Sequence, residues 1–225
     1  MARRPRVIAF DVVETLFSLE SLRHRLIDAG QPGHLLELWF AQLLRDAFAL
    51  CASGGFRPFA DIATSALAAV SSHLLPDDTV QGLVAGFGEL DAHPDVEPAM
   101  RRAADAGIEV IALTNGSAST TRALLQRAGV QGYVRQVVSV DDVQRWKPAP
   151  QIYRHAAKTC QVEPEQIALV AVHGWDTHGA HEAGLVTGWV SRLEGRFSPL
   201  LARPDVTGAD LVEVVDALVA LPTES

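Results

Sequence analysis

The 225 residues are 48% hydrophobic and 20% charged, the balance of an ordinary globular protein, and they suffice to bury a substantial core as one domain with an insertion or as two small domains. Nineteen basic against 27 acidic residues leave a formal charge of -8, which repels a phosphate backbone, and the short cluster Arg3, Arg4 and Arg6 does not reverse this; no nucleic-acid partner is expected. No apolar run reaches the roughly 20 residues of a membrane span, the opening "MARRPRVIAF" lacks the apolar stretch of a secretory signal, and Cys51 and Cys160 stand far apart in no metal-ligand spacing; the expected setting is cytoplasmic, with no membrane partner.

The first element is "VIAFDVVETL", residues 7 to 16. Four apolar residues form a buried strand and run straight into Asp11, with Glu14 and Thr15 close behind. A carboxylate at the end of such a strand needs a partner or a chemical role. Residues 17 to about 92 follow with helical patterning in "LRHRLIDAG", "LLELWFAQLLRDAFALCA", "FADIATSALAAVSSHLL" and "TVQGLVAGFGEL", and with no convincing strand between them. From Pro94 the pattern alternates. "VEPAMRRAADAG" is a helix stopped by Gly107, "IEVIAL" a strand, and "SASTTRALLQRAG" a helix opened by Ser117 and closed by Gly129. "VRQVVSV", "APQIYRHAAKTC", "QIALVAV", a helix around "THGAHEAG", "VTGWVS" and the helix "LVEVVDALVAL" complete the chain. Strand–helix alternation predicts an α/β fold with a parallel sheet covered on both faces, and the helical block after its first strand predicts a cap.

Ligands of open parallel sheets bind at the carboxyl ends of the strands. That rule gathers Asp11 and Thr15; Thr114, Asn115, Gly116 and Ser117; Lys147 and Tyr153; and His173, Trp175 and Asp176 at one end of the sheet. Singly, each has a structural explanation: Asp11 or Asp176 as a helix cap, "TNGS" as a turn and cap, Lys147 as a solvated lysine. Together they supply a nucleophile, small donors, a cation and a second carboxylate, in order, at neighbouring strand ends. Lys147 would keep Asp11 anionic, Thr15 would orient it, Asp176 would pair with Lys147 or position a water, and Thr114, Asn115 and the amides before the following helix would bind an anionic group.

"FDVVETL", "LTNGS", "KPAPQIY" and "VHGWDTHGAHEAG" resemble the four motifs of the haloacid dehalogenase superfamily in the correct order, over nearly the whole chain. The resemblance implies a Rossmann-like core of residues 1–16 and 93–225, a helical cap of residues 17–92, and Asp11 as a covalent nucleophile. Superfamily phosphatases carry a second aspartate two residues after the nucleophile, where this chain has Val13, and a magnesium-ligating aspartate four residues before the fourth-motif carboxylate, where it has Val172. Losing both the general acid and a hard-cation ligand argues against phosphoryl transfer; a halide leaving group needs neither. The chain is similar to the type II 2-haloacid dehalogenases at "TNG", at the spacing of Lys147 and Tyr153, and at Trp175–Asp176.

This resemblance implies a metal-independent, cofactor-free hydrolase acting on a small anionic substrate such as a 2-haloacid through an aspartyl ester, with a homodimer possible by family analogy. Asp11, Thr15, Lys147, Asp176 and His173 are the catalytic candidates; Val12, Thr114, Asn115, Gly116, Tyr153, Trp175, Trp39 and Phe40 are the substrate-binding ones. Two departures stand out. Ala171 and His173 replace the serine and asparagine that hold the hydrolytic water in those enzymes, so His173 is either a base, which must be neutral to take a proton, or a hydrogen-bonded loop histidine. Phe40 follows Trp39 where they carry an arginine that receives the halide or the carboxylate, and Arg45 lies on another helical face. The alternatives are a magnesium-dependent phosphatase of small molecules and a catalytically weak relative that binds a small carboxylate or a protein.

Overall fold

A computed structural model describes residues 2–223. Strand β1 (Val7–Phe10) enters the centre of the sheet; the chain then leaves through a two-residue strand β2 (Phe17–Ser18) into four helices, α1 (Glu20–Asp28), α2 (Leu35–Ala52), α3 (Phe59–Val70) and α4 (Asp77–Ala85). It returns through β3 (Asp91–Ala92), antiparallel to β2, into α5 (Val96–Asp105), β4 (Glu109–Thr114), α6 (Ala118–Arg127), β5 (Val134–Ser139), α7 (Pro150–Cys160), β6 (Ile167–Ala171), α8 (Gly174–Glu182), β7 (Val186–Val190), β8 (Val206–Gly208) and α9 (Leu211–Val219).

The parallel sheet has the order β5-β4-β1-β6-β7-β8, with Phe10 of β1 facing Ala112 of β4 on one side and Val170 of β6 on the other. The strand order reverses at β1, so its carboxyl end opens into a crevice between two loops that diverge to opposite faces. Side chains alternate across the sheet: Ile8 and Phe10 join the apolar cluster that continues into the inserted helices, while Val7 and Ala9 pack with Ile152 and Tyr153 of α7. In the insertion, α2 buries Leu35, Leu36, Trp39, Leu43 and Ala47, one stripe at helical spacing. The stripe packs on Ala63 and Ala66 of α3, whose small side chains let the helices approach until the Trp39 indole donates to the Ala63 carbonyl at 2.8 Å.

The structure differs from the sequence expectation in three places. The block 17–92, read as strandless, is closed at its two ends by the β2–β3 ribbon; two-residue strands carry no period-2 signal. The three-residue β8, pairing with β7, was not expected for the same reason. Helix α8 begins at Gly174, ahead of the "THGAHEAG" stretch, although glycine is a poor helix former; the Glu194 carboxylate accepts from the Gly174 N–H at 3.1 Å and satisfies that end. Among the described residues no helix is long and apolar enough to cross a membrane.

Candidate active site

Asp11 follows the last residue of β1, with its N–H donating to the Val170 carbonyl at 3.0 Å, so the sheet itself fixes its backbone. The turn beyond it is tight. Glu14 takes a left-handed backbone, φ 67°, costly for a side chain with a Cβ. Three contacts hold it there: its N–H donates to the Phe17 carbonyl at 2.7 Å, its carboxylate accepts from the Leu19 N–H at 2.8 Å, and its carbonyl lies 3.0 Å from His93 Nε2. This turn aims Thr15 back at Asp11. The Thr15 hydroxyl donates to Asp11 Oδ2 at 2.7 Å and accepts from the Val172 N–H at 3.1 Å, tying the loops after β1 and β6 together.

Lys147 is fully buried, and its Nζ lies 3.0 Å from Asp11 Oδ1 and 2.8 Å from Asp176 Oδ2. Its N–H donates to Asn115 Oδ1 at 3.1 Å, which joins the loop after β4 to the same cluster. Asp176, in the first turn of α8, also accepts from the Tyr153 hydroxyl at 2.6 Å. His173 Nδ1 lies 3.3 Å from Asp11 Oδ2. Thr114 accepts from the Gly116 N–H at 2.9 Å, and the Gly116 carbonyl accepts from the Ser139 hydroxyl at 2.7 Å, shaping the loop that carries Asn115. Ser117 caps α6 as the sequence predicts, accepting from the Thr120 N–H at 3.1 Å.

Two carboxylates, one ammonium and one imidazole thus share a nearly dry space. Burial by itself would raise the Asp11 carboxyl, but Lys147, His173 and the Thr15 hydroxyl outweigh it and hold Asp11 below the ordinary carboxylate range. Asp176, wholly buried, is pushed up by burial, against the pull of Lys147. Lys147 loses to burial but gains more from Asp11 and Asp176, and its pKa rises, so it stays charged. Burial and the neighbouring Asp176 push Tyr153 well above 10.0, which keeps it a neutral donor. His173 resists burial through its hydrogen bond and charge attraction to Asp11, and its pKa rises above 6.5. The carboxylate beside it favours the imidazolium.

A cavity of ≈ 10 Å³ lies over the cluster, about the room one water needs. Asp11, Thr114, Asn115 and His173 form its floor; Phe40 and Leu44 of α2 and Phe59 of α3 roof it, with Val13 and Trp175 at the side. The sequence reading named Phe40 and Trp175 but not Leu44 or Phe59. A signal for the first existed: Phe40, Leu44 and Phe48 repeat every four residues, a second apolar stripe beside the one led by Trp39, and Phe48 packs edge-on against Trp175 with ring centroids 5.2 Å apart. Trp39 itself does not reach the cavity. It is buried in the inserted helices against Phe87. Val12 and Tyr153 are likewise packed behind the site, Val12 in the apolar core and Tyr153 beneath Asp176. Arg45 pairs with its neighbour Asp46 on the exposed face of α2.

The residues do not fit a magnesium ion. The Lys147 ammonium already bridges Asp11 and Asp176, and the fully buried Val172 offers an apolar side chain where the phosphatases have a hard oxygen ligand. Among the described residues no cluster of three or more His, Cys, Asp or Glu side chains has metal-holding geometry.

This chain is similar to haloacetate dehalogenase H-2 of Moraxella sp. (strain B), at 28% identity over 97% of this chain and 98% of that one. It is also similar to an (S)-2-haloacid dehalogenase of Pseudomonas putida, at 28% identity over 94% and 96%. Among solved structures, an L-2-haloacid dehalogenase at 28% identity superposes with a TM-score of 0.90 over 96% of this chain and 99% of that one. An L-2-haloacid dehalogenase from Xanthobacter autotrophicus with chloropropionic acid covalently bound shares the fold at 21% identity, with a TM-score of 0.89 over 96% and 99%. Residues 5–184 match the haloacid dehalogenase-like hydrolase family, and the chain belongs to that family.

Proposed function

We propose that this protein is a metal-independent hydrolase of the 2-haloacid dehalogenase type, in which Asp11 displaces halide from carbon and forms an ester that water then hydrolyses. The observation that carries the reading is the Lys147 ammonium lodged between Asp11 and Asp176 at 3.0 and 2.8 Å. It keeps the nucleophile ionised and fills the place of a cation, and Val13 leaves no acid for a leaving oxygen. Halide departs without a proton, so this reaction needs neither. Asn115, with its oxygen taken by the Lys147 N–H, has its amide N–H groups free to donate to a substrate carboxylate, while Phe40, Leu44 and Phe59 enclose the carbon chain. The named dehalogenases that this chain resembles along almost its entire length support the same substrate class.

On this reading residues 17–92 are a cap domain joined to the core 1–16 and 93–225 through the β2–β3 ribbon, and a one-water cavity means that the cap must part from the core to admit even a small haloacid. The expected homodimer would use the cap, where Ile27 and Leu38 are exposed, and light scattering decides whether a dimer forms. The activity test is halide release from chloroacetate, bromoacetate and 2-chloropropionate in the presence of EDTA. Turnover should survive chelation, and a single turnover in H₂¹⁸O should leave the heavy oxygen in Asp11 rather than in the product alcohol. Phosphate-ester hydrolysis restored only by added Mg²⁺ would reverse the assignment.

A further inference from the structure

We propose that His173 is a charge-gated base: as an imidazolium it pairs with the Asp11 carboxylate in the resting enzyme, and esterification of Asp11 removes that partner, so the ring sheds its proton and then takes one from the hydrolytic water. The proposal rests on the aspartyl-ester reading above and adds the timing of the protons.

The geometry carries it. His173 is 6% exposed, its Nδ1 lies 3.3 Å from Asp11 Oδ2, and its Nε2 is buried with no protein partner. A ring nitrogen that close to the carboxyl is within one water of the carbon that water must attack. The cavity that both residues line has about the room for that one water. The remaining faces of the ring are apolar, with Phe40 of α2 at 6.0 Å and Trp175 of α8 at 5.2 Å between centroids, so little but nearby charge sets its protonation.

The charged groups around it are few. Asp11 is in contact; Asp176 stands behind Asp11, its charge answered by Lys147; Glu14 sits in the loop after β1, where burial raises its carboxyl against the Leu19 N–H and His173, and it attracts the imidazolium less than Asp11 does. Phe40, Leu44 and Phe59, the cap residues lining the cavity, carry no charge. Asp11 is therefore the anion the imidazolium depends on, and it is the group that the first chemical step neutralises. Once it is an ester, burial favours the neutral ring against only the smaller attractions of Asp176 and Glu14.

The protons balance. Asp11 carboxylate displaces halide from carbon and becomes an ester, and His173 releases one proton to solvent. The neutral ring then takes a proton from water as its oxygen bonds to Asp11 Cγ. The tetrahedral intermediate expels the alkoxide and passes it the remaining hydroxyl proton, leaving the Asp11 carboxylate, the product alcohol and a His173 imidazolium. The sum is haloacid plus water giving hydroxy acid, halide and one proton, with the resting charges restored.

Asp11→Asn is neutral, as the ester is, and nearly isosteric with the resting side chain. The His173 pKa, followed by the imidazole resonances in NMR and assigned by comparison with His173→Gln, should fall by at least about one unit in Asp11→Asn relative to the wild type. An unmoved pKa overturns the gate. In a wild-type single turnover with bromoacetate in weak buffer, an indicator dye should report the proton with the bromide and ahead of glycolate; a proton that appears only with glycolate also overturns it. His173→Gln should accumulate the esterified enzyme, seen as added mass on Asp11, while forming it at close to the wild-type rate. If the wild type turns over and the pKa does not move, the gate fails alone. If no haloacid ever adds mass to Asp11 in either protein, the dehalogenase reading fails and the gate with it.

Discussion

Lys147 shows what a single buried charge does here. It answers two carboxylates at 3.0 and 2.8 Å from a fully buried position, so removing it leaves Asp11 and Asp176 facing each other with only His173 to offset them. Lys147→Met should abolish turnover. It should also destabilise the fold at neutral pH by about 3 kcal/mol or more, because breaking one partner out of a buried ion cluster strands the others. The sign of the pH dependence follows. Without Lys147 both carboxyls are raised above their unfolded values, so they are satisfied when protonated at low pH, and the variant loses stability progressively as pH rises through those raised values. Thermal unfolding at pH 5 and pH 7.5 checks this: the deficit against the wild type should be smaller at pH 5. A variant equally stable at both would mean that the carboxylates are solvated rather than dry. Asp11→Asn, by contrast, keeps the shape of the side chain and should fold normally while losing at least about 10³-fold in rate, some 4 kcal/mol of barrier.

At the scale of elements, two contacts place the cluster. Helix α8 approaches the turn after Lys147 so closely that a Cβ on Gly179 would lie 2.5 Å from Pro148 Cβ and 2.8 Å from its carbonyl oxygen. Backbone cannot yield as a side chain does, so Gly179→Ala should cost about 1–3 kcal/mol by overpacking and should displace Lys147 enough to lower kcat. Gly132→Ala is the control, with nothing within 4 Å of the added carbon. Differential scanning calorimetry and initial rates should show both losses in the first variant and neither in the second. Helix α2 supplies the other contact, since its Phe40–Leu44 stripe roofs the cavity. Leu44→Ala should enlarge the space over Asp11 and lower KM for 2-bromobutanoate relative to bromoacetate, by roughly threefold or more for each extra methylene that becomes buried. Unchanged relative KM values would place the substrate chain elsewhere.

Across the whole molecule, the core and the inserted helices meet at a dry seam. Trp146, from the loop before α7, is fully buried, stacks on Phe59 of α3 at 5.9 Å and donates from its indole to the Arg57 carbonyl at 3.0 Å. Trp146→Phe keeps a ring but loses that hydrogen bond. It should cost about 1–3 kcal/mol of stability and loosen the seam, which hydrogen exchange of the α3 amides would register as faster opening. Exchange unchanged in α3 would mean that the seam is held elsewhere.

Much of this was legible in the sequence because it is written in local pattern. Apolar runs alternating with 3.6-period stretches specified the α/β core, four consecutive helical patterns specified the insertion, and glycine and serine punctuation placed the ends of α5 and α6. Residues at strand ends had to converge once the sheet was parallel, so Asp11, Asn115, Lys147, His173 and Asp176 could be grouped without coordinates. Short strands such as β2, β3 and β8 left no pattern to read. Tertiary structure alone decided what depends on distance between chain segments far apart in sequence. It turned Trp39 into the core and Phe40, one residue or about 100° further round the same helix, into the cavity. It set Tyr153 beneath Asp176, and it brought His173 within 3.3 Å of Asp11, 162 residues away, where a carboxylate in a dry site favours the charged ring. Period and punctuation are properties of neighbours along the chain, whereas burial and Coulomb energy depend on neighbours in space.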